Sequence, residues 1–198
     1  RHALAALKWA KHIALPFLFR YAPHHEKEAA MPLDAITLTH LTRELQSRLS
    51  GARVDKVYMP EKNEAVLLLR AREGNVRLLL CASQNSARIQ LTRAQRENPK
   101  VPPMLCMLLR KHVANGRITA ITQPGMERII VFEIEHLDDL GDLRHKKLII
   151  ELMGKHSNII FCDENDMILD SIKHISAQVS SVREVLPGRT YFIPAQQD

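Results

Sequence analysis

Short runs of aliphatic and β-branched residues, separated by turn-forming stretches such as PEKN and REGN, fill most of the chain after residue 51. Such runs are typical of β-strands joined by tight connections. They read ARVDKVYM, AVLLLRA, NVRLLLCA and ARIQLT in the first half, then RITAITQ, RIIVFEIE, KKLIIELM, SNIIFCDE and MILDSIKHI. The pattern predicts eight or nine mostly antiparallel strands.

Two segments have helical character instead. Between Pro32 and Gly51, apolar residues recur at the spacing of one helix face: Ile36, Leu38, Leu41, Leu45 and Leu49. A second helix is predicted from Met104 to Val113, after two prolines that suit a first helical turn, and its run MLCMLL indicates that it is buried. The predicted fold class is therefore α+β, a β-sandwich with flanking helices.

Composition divides the chain into three parts. Residues 1–30 hold four of the nine aromatic residues and four of the ten histidines, so we interpret them as upstream or added sequence, with a docked amphipathic helix as the alternative. Lys8, Lys11 and Pro16 interrupt their apolar stretch, which predicts no membrane span. The domain is expected to occupy residues 31–194, the tail after Pro187 to resemble a linker, and residues 195–198 to begin one.

Few residues suggest a metal or a reaction. Cys81, Cys106 and Cys162 lie in apolar runs without a C-x-x-C pair, which predicts buried, reduced thiols and a cytoplasmic protein. The Lys-His pairs at His112, His156 and His174 do not have zinc-ligand spacing, so neither a metal nor a cofactor is predicted.

The sequence favours a binding protein over an enzyme. It contains no Walker loop, G-x-G-x-x-G, G-x-S-x-G or H-E-x-x-H motif. Met31-Pro32 raises the alternative of a glycosylase that uses an N-terminal proline as its nucleophile, but thirty residues precede Met31 and Leu33 offers no neighbouring acid.

Positive charge is concentrated in one stretch. The net charge is +6, and between Arg88 and Arg117 seven basic residues face only Glu97, whereas an acidic stretch follows from Glu133 to Asp142. One surface could therefore meet phosphate while another avoids it, although two solvated faces without a partner would give the same pattern. The candidate phosphate contacts are Arg88, Arg93, Arg96, Lys100, Arg110 and Lys111, with Lys155 and His156. Because only five aromatic residues follow residue 30, RNA contacts should involve phosphate, sugar and folded shape more than base stacking.

Several blocks taken together resemble the N-terminal domain of the bacterial NFACT family, ribosome quality-control factors of the RqcH type first described as fibronectin-binding proteins. The blocks are MPLDAITLTHLTREL, GARVDKVYMPEKNEAVLLLR, NPKVPPMLCMLLRKH, GMERIIVFEIE, ELMGKHSNIIF, DSIKHIS and VREVLPGRTY. The resemblance covers about residues 31–194 and implies a fold like the N-terminal domain of formamidopyrimidine-DNA glycosylases, without glycosylase activity. It also implies further domains that do not follow Asp198 here.

The resemblance carries functional expectations. Family members bind a large ribosomal subunit blocked by peptidyl-tRNA and recruit alanyl-tRNA for template-free alanine addition, while the ribosome forms the peptide bond. An Asp-Arg pair serves tRNA recruitment in the family, and Glu127-Arg128 occupies its place here, with Glu where Asp is usual. We expect this pair at the open end of the strand RIIVFEIE, where a turn can direct both side chains toward one ligand.

A fibronectin-binding surface adhesin is the rival interpretation. A secreted protein would be expected to have a signal peptide, an anchor or paired cysteines, and none of these is recognisable in the sequence. Cytoplasmic, ribosome-associated RNA binding is therefore the favoured prediction.

Overall fold

The computed structural model describes residues 34–194, which form two α-helices, nine β-strands and a 3₁₀ turn. The interpretations of residues 1–30 and 195–198 lie outside the described residues, as does the glycosylase question at Pro32. Among the residues described, no helix is long and apolar enough to cross a membrane.

Helix α1 spans Ala35–Leu49. The carboxylate of Asp34 caps its first turn by accepting a hydrogen bond from the backbone N–H of Thr37 at 2.7 Å. Gly51 has a φ of 81° and follows the helix at the predicted end. The predicted helix is confirmed, and its four leucines are buried, but Ile36 in the first turn is 63% exposed.

The nine strands coincide with the nine apolar runs of the sequence. They are β1 (Arg53–Tyr58), β2 (Glu64–Ala71), β3 (Gly74–Cys81), β4 (Arg88–Thr92), β5 (Arg117–Thr122), β6 (Ile129–Leu137), β7 (Leu143–Glu151), β8 (Asn158–Asp163) and β9 (Ile168–Ser171). A 3₁₀ turn, Gly154–His156, lies between β7 and β8. The strand prediction is confirmed.

The strands form one continuous antiparallel sheet in the order β4-β3-β2-β1-β5-β6-β7-β8-β9. Its two halves are joined by a short pairing of β1 with β5, in which Arg53 lies opposite Arg117. The α+β class is confirmed, but a sandwich of two packed sheets is not what is found. The likeness to the glycosylase fold stays a prediction.

One hydrophobic core nevertheless draws on both halves of the sheet and on both helices. Its largest fully buried members include Leu45, Leu67, Leu80, Leu109, Phe132 and Phe161. Beyond β9, the ammonium of Lys173 donates a hydrogen bond to the backbone carbonyl of Ala82, just after β3, at 2.8 Å. The sheet therefore curls until strands that are distant in its order approach each other. Side chains from its two halves are buried against each other, as in a sandwich, although there is no second sheet.

Helix α1 lies along the edge of β5 that β1 leaves open. The side-chain oxygen of Gln46 accepts a hydrogen bond from the backbone N–H of Ile121 at 2.6 Å. The side chain of Gln46 thus takes the place of a neighbouring strand, because the buried N–H of Ile121 needs a hydrogen-bond acceptor. As a result, α1 controls the position of β5 and of the residues that follow it.

Helix α2 spans Met104–Val113, as predicted, and its C-terminal end is followed by Asn115 at a φ of 66°. The run MLCMLL does not make it buried on all sides, because Met104 is 71% and Met107 51% exposed. Consecutive helical residues point in different directions, so an apolar run of this length must reach the exposed face as well. The helix packs with the opposite face, through Cys106 and Leu109 among others, against the sheet.

The segment after β9 packs against the sheet, so the interpretation of the tail after Pro187 as a linker is wrong as far as residue 194. Backbone hydrogen bonds join Gly188 and Arg189 to Ile168, and Tyr191 to Asp166. Below this segment lies a second hydrophobic cluster made of Ile129, Ile149, Ile160, Cys162, Ile168 and Val185. The parts of β6 to β9 that carry these residues are thus covered on both faces.

A buried charge cluster holds this segment in place. Glu151, at the end of β7, is fully buried and accepts hydrogen bonds from the guanidinium of Arg183 and, at 2.9 Å, from the hydroxyl of Tyr191. Burial raises the pKa of Glu151 above its usual value near 4.5, and Arg183 opposes that rise. Arg183 also donates to the backbone carbonyl of Phe192 at 2.8 Å.

We expect Gly116→Ala to destabilise the fold by about 1–3 kcal/mol through overpacking. A Cβ at Gly116 would lie 2.7 Å from the carbonyl oxygen of Glu135 and 2.9 Å from that of Val113, and neither backbone atom can move independently. Urea unfolding is the measurement. Arg117→Ala, at the exposed next position, is the control and should change stability by less than about 0.5 kcal/mol; equal effects at both positions would contradict the close packing.

Candidate nucleic-acid interface

Glu127 and Arg128 lie immediately before β6, after a turn at Pro124 and Gly125. The backbone N–H of Glu127 donates to the carbonyl of Pro124 at 3.1 Å, which closes the turn. The two side chains of β6 that follow are fully buried on opposite sides, Ile130 in the main core and Ile129 in the second cluster. The pair therefore lies at the solvent-facing start of a strand whose first residues are buried on both faces.

The main chain of the pair is held on both sides. The carbonyl of Glu127 accepts a hydrogen bond from the side-chain amide of Gln123 at 2.8 Å. The carbonyl of Arg128 accepts one from the backbone N–H of Leu152, just after β7, at 2.8 Å. A backbone fixed in this way limits the space that the two side chains can sample before a ligand arrives.

The two side chains differ in their surroundings. Arg128 is exposed, and among residues 34–194 no side chain or carbonyl forms a hydrogen bond or ion pair with its guanidinium. Glu127 is half-buried. A guanidinium presents five donors in a rigid fork, which suits phosphate and the edge of guanine.

Lys155 and His156 lie at the same end of the sheet as this pair. Leu152, bonded to Arg128, leads directly into the 3₁₀ turn that carries both residues, and both are exposed. Four of the candidate RNA-binding residues named from the sequence therefore lie at one end of the sheet. Three of them carry or can acquire positive charge.

The basic stretch after β4 forms a second group of candidates. Arg93, Arg96 and Lys100 lie in an exposed loop after β4. Within this loop Arg96 is paired with Glu64 at 2.8 Å, so part of its charge is already balanced.

The remaining candidates are less available than the sequence indicates. Arg88 is half-buried and donates to the carbonyl of Ser86 at 2.8 Å. Arg110 is also half-buried, donates to the carbonyl of Val57 at 2.9 Å and lies 5.7 Å from the centre of the Tyr58 ring. Lys111, by contrast, is exposed. We therefore interpret Arg88 and Arg110 as residues with structural contacts that also add to the local positive field.

No metal centre is recognisable in the described part of the chain, where no three His, Cys, Asp or Glu side chains come together. Cys81, Cys106 and Cys162 are buried and form no disulfide, as predicted. Burial raises the pKa of Cys162 to about 12, so this thiol stays protonated at neutral pH.

Sequence reasoning missed Gln123 and the cluster of Glu151, Arg183 and Tyr191. A single charged residue inside the apolar run LIIELM is a usable signal for Glu151, because a buried carboxylate needs a partner. Gln123 carries no such signal, since an isolated glutamine before a proline is ordinary in a turn.

The sequence is similar to a protein family and to several known proteins. The family model for NFACT N-terminal and middle domains matches residues 34–198. The chain is 41% identical over 169 residues to the Rqc2 homolog RqcH of Bacillus subtilis, covering 85% of this chain and 30% of that protein. It is 29% identical over 137 residues to the ribosome quality control complex subunit 2 of Saccharomyces cerevisiae, covering 69% of this chain and 12% of that protein.

A solved structure extends the similarity to three dimensions. The N-terminal domain of the fibronectin-binding protein PavA from Streptococcus pneumoniae matches with a TM-score of 0.79 and 39% identity, over 83% of this chain and 62% of that one. The chain thus spans less than a third of the length of the Bacillus relative it matches. On the family match and the shared fold, the chain belongs to the NFACT family and corresponds to the N-terminal part of its members.

Proposed function

We propose that this chain supplies the tRNA-binding domain of a ribosome quality-control factor. In this role the protein binds a large ribosomal subunit obstructed by peptidyl-tRNA and recruits alanyl-tRNA, so that alanines are added to the stalled chain without a template. The proposal rests on the names of the relatives and on one observation, the exposed guanidinium of Arg128 on a main chain that is held from both sides.

The chemistry of the pair fits recognition of a nucleic acid. Arg128 can donate two parallel hydrogen bonds to a phosphate or to the O6 and N7 atoms of guanine. Glu127 can accept from a base amine or a ribose hydroxyl, or orient Arg128 toward the ligand. Lys155 and His156, at the same end of the sheet, supply charge for neighbouring phosphates.

The protein itself needs no reaction centre for this function. The ribosome forms the peptide bond, and the domain contributes binding and placement of the tRNA. The direct test is capture of alanyl-tRNA by the whole protein on stalled large subunits, followed by detection of alanine tails. Loss of both on changing Arg128 supports the proposal, and their persistence contradicts the site.

The loop after β4 is proposed as a non-selective phosphate contact. We expect the triple change of Arg93, Arg96 and Lys100 to alanine to weaken binding of all RNAs alike. Each lost phosphate contact should reduce the slope of log affinity against log salt by roughly 0.7 to 0.9, because fewer counterions are released. Because Arg96 is paired with Glu64, its share should be smaller than that of Arg93 or Lys100.

Filter binding of tRNA over a series of salt concentrations measures this effect. Arg72→Ala, in the exposed turn between β2 and β3, is the matched control for loss of surface charge. If the triple variant keeps the affinity and the salt slope of the parent, the loop is a solvated face without an RNA partner.

Fibronectin binding is the alternative function. It is favoured by the name of the structurally similar pneumococcal protein. The two proposals differ in partner chemistry, so binding of fibronectin and of tRNA can be measured on the same protein. Fibronectin binding that is unaffected by Arg128→Ala, together with an absence of tRNA binding, would favour the alternative.

A further inference from the structure

Gln123 links the turn that carries Glu127 and Arg128 to the first turn of helix α1. Its side-chain nitrogen donates to the carbonyl of Glu127 at 2.8 Å and to the carbonyl of Ala35 at 3.1 Å. Its side-chain oxygen accepts a hydrogen bond from the hydroxyl of Thr39 at 2.7 Å. One amide thus joins three parts of the chain, β5, α1 and the turn before β6.

The neighbouring groups determine which way this amide points. Two carbonyl oxygens face one end of it, and only the NH₂ group can donate to both. The opposite orientation would direct the amide oxygen of Gln123 at the carbonyls of Ala35 and Glu127, and both hydrogen bonds would be lost. All of the polar atoms of the amide are therefore used in the observed orientation.

The amide is also the link between a rigid element and an otherwise exposed turn. Helix α1 is anchored by four buried leucines and by the contact of Gln46 with Ile121. The turn itself has exposed residues at Gly125 and Met126 and is closed by the backbone hydrogen bond from Glu127 to Pro124. Without Gln123, the hydrogen-bonded connection between the carbonyl of Glu127 and α1 would be lost.

We propose that Gln123, supported by Thr39, is a positioning residue that fixes the main chain of Glu127 and Arg128 for tRNA. This inference rests on the proposed function of that pair. The residues act through the pair and not on the tRNA, because the amide of Gln123 is already occupied by three protein groups. When the groups of a functional site are displaced by about 1 Å, binding or activity can fall by roughly one to two orders of magnitude.

The first test is Gln123→Met in the whole protein, which keeps length and neutrality but removes every hydrogen bond of the amide. We expect tRNA affinity to fall on the order of tenfold. In a protein that already carries Arg128→Ala, the same change should produce no further loss. That coupling separates positioning of Arg128 from a general loss of stability, which would weaken both proteins to the same extent.

The second test is a pair of changes at Thr39. Thr39→Ser keeps the hydroxyl and should bind tRNA like the parent. Thr39→Val keeps the shape of the side chain but removes the hydrogen-bond donor, so it should weaken tRNA binding as Gln123→Met does. Melting curves are recorded for every variant. Equal binding by the Ser and Val variants would overturn the role assigned to Thr39.

The outcomes distinguish the positioning role of Gln123 from the proposed tRNA binding by Glu127 and Arg128. If Arg128→Ala weakens binding but Gln123→Met does not, the positioning role is wrong and the site stands. If Gln123→Met costs the same in both backgrounds, its role is only structural and the inference is overturned. If Arg128→Ala itself has no effect, the proposed site has failed.

Discussion

Arg128→Ala is expected to lower tRNA affinity about tenfold to a hundredfold and to abolish alanine tailing, while the domain stays folded. The loss of one good bidentate contact costs about 1–3 kcal/mol, which corresponds to that range. Stability should be preserved because the guanidinium is exposed and forms no hydrogen bond or ion pair within residues 34–194. Its backbone carbonyl, which pairs with Leu152, is unchanged by the substitution.

The neighbouring acid gives a graded comparison. Glu127→Asp should keep activity because the carboxylate is retained one methylene shorter, whereas Glu127→Ala should lose it. Binding of alanyl-tRNA and formation of alanine tails are measured beside a melting curve for each variant, with Arg72→Ala as the control for removal of an exposed arginine. An Arg128→Ala protein that binds tRNA normally, or that fails to fold, contradicts the assignment of the site.

Arg183→Met is expected to have the largest effect on stability, a loss of about 3–5 kcal/mol, because it leaves a buried carboxylate without its charged partner. Glu151 is fully buried, and without Arg183 it keeps the hydroxyl of Tyr191 as its side-chain partner. The segment after β9 would then lose both this ion pair and the bond from Arg183 to Phe192. Guanidinium unfolding of the variant and the parent measures the difference.

The defect should grow with pH. Burial raises the pKa of Glu151 above its usual value, and removal of Arg183 takes away the main group that opposes the rise. A carboxyl whose folded pKa lies above its unfolded pKa is protonated in the fold and ionised after unfolding, so the stability it contributes is present at low pH and is lost as pH rises. The difference from the parent should therefore be smaller near about pH 5 than near about pH 8.

Two further variants test the cause. Arg183→Met combined with Glu151→Leu should recover much of the loss, because a buried ion pair can be replaced by apolar side chains of similar size. Arg189→Met breaks the exposed pair with Glu184 and should cost no more than about 1 kcal/mol. If the double variant is as unstable as Arg183→Met, the unpaired charge is not the origin of the defect.

The sequence predicted local structure well where side-chain periodicity and backbone chemistry agree. The helix Met104–Val113 has the predicted limits, since proline suits its start and Asn115 adopts the left-handed conformation after its end. Side chains alternate along β6 as in a regular strand: Ile130 and Phe132 enter one core cluster, Ile129 the other. Such features depend on neighbours in the chain.

Features that depend on distant partners were not predictable. The short pairing of Arg53 with Arg117 makes one sheet out of two sets of strands, and no periodicity in either strand encodes it. The packing of the tail up to residue 194 depends on the buried pair of Glu151 and Arg183, which are thirty-two positions apart. The position of Glu127 and Arg128 at a strand start followed from the turn before β6, but their support by Gln123 depends on helix α1.

The most direct test of tRNA binding through this pair is the RNA that co-purifies with the whole protein from cells. Parent and Arg128→Ala proteins are isolated under the same conditions, and the bound RNA is sequenced. We expect tRNA, with alanine-accepting species prominent, to be recovered with the parent and to be strongly reduced with the variant. Recovery of the same tRNA in equal amount with both proteins, or of none with the parent, would contradict it.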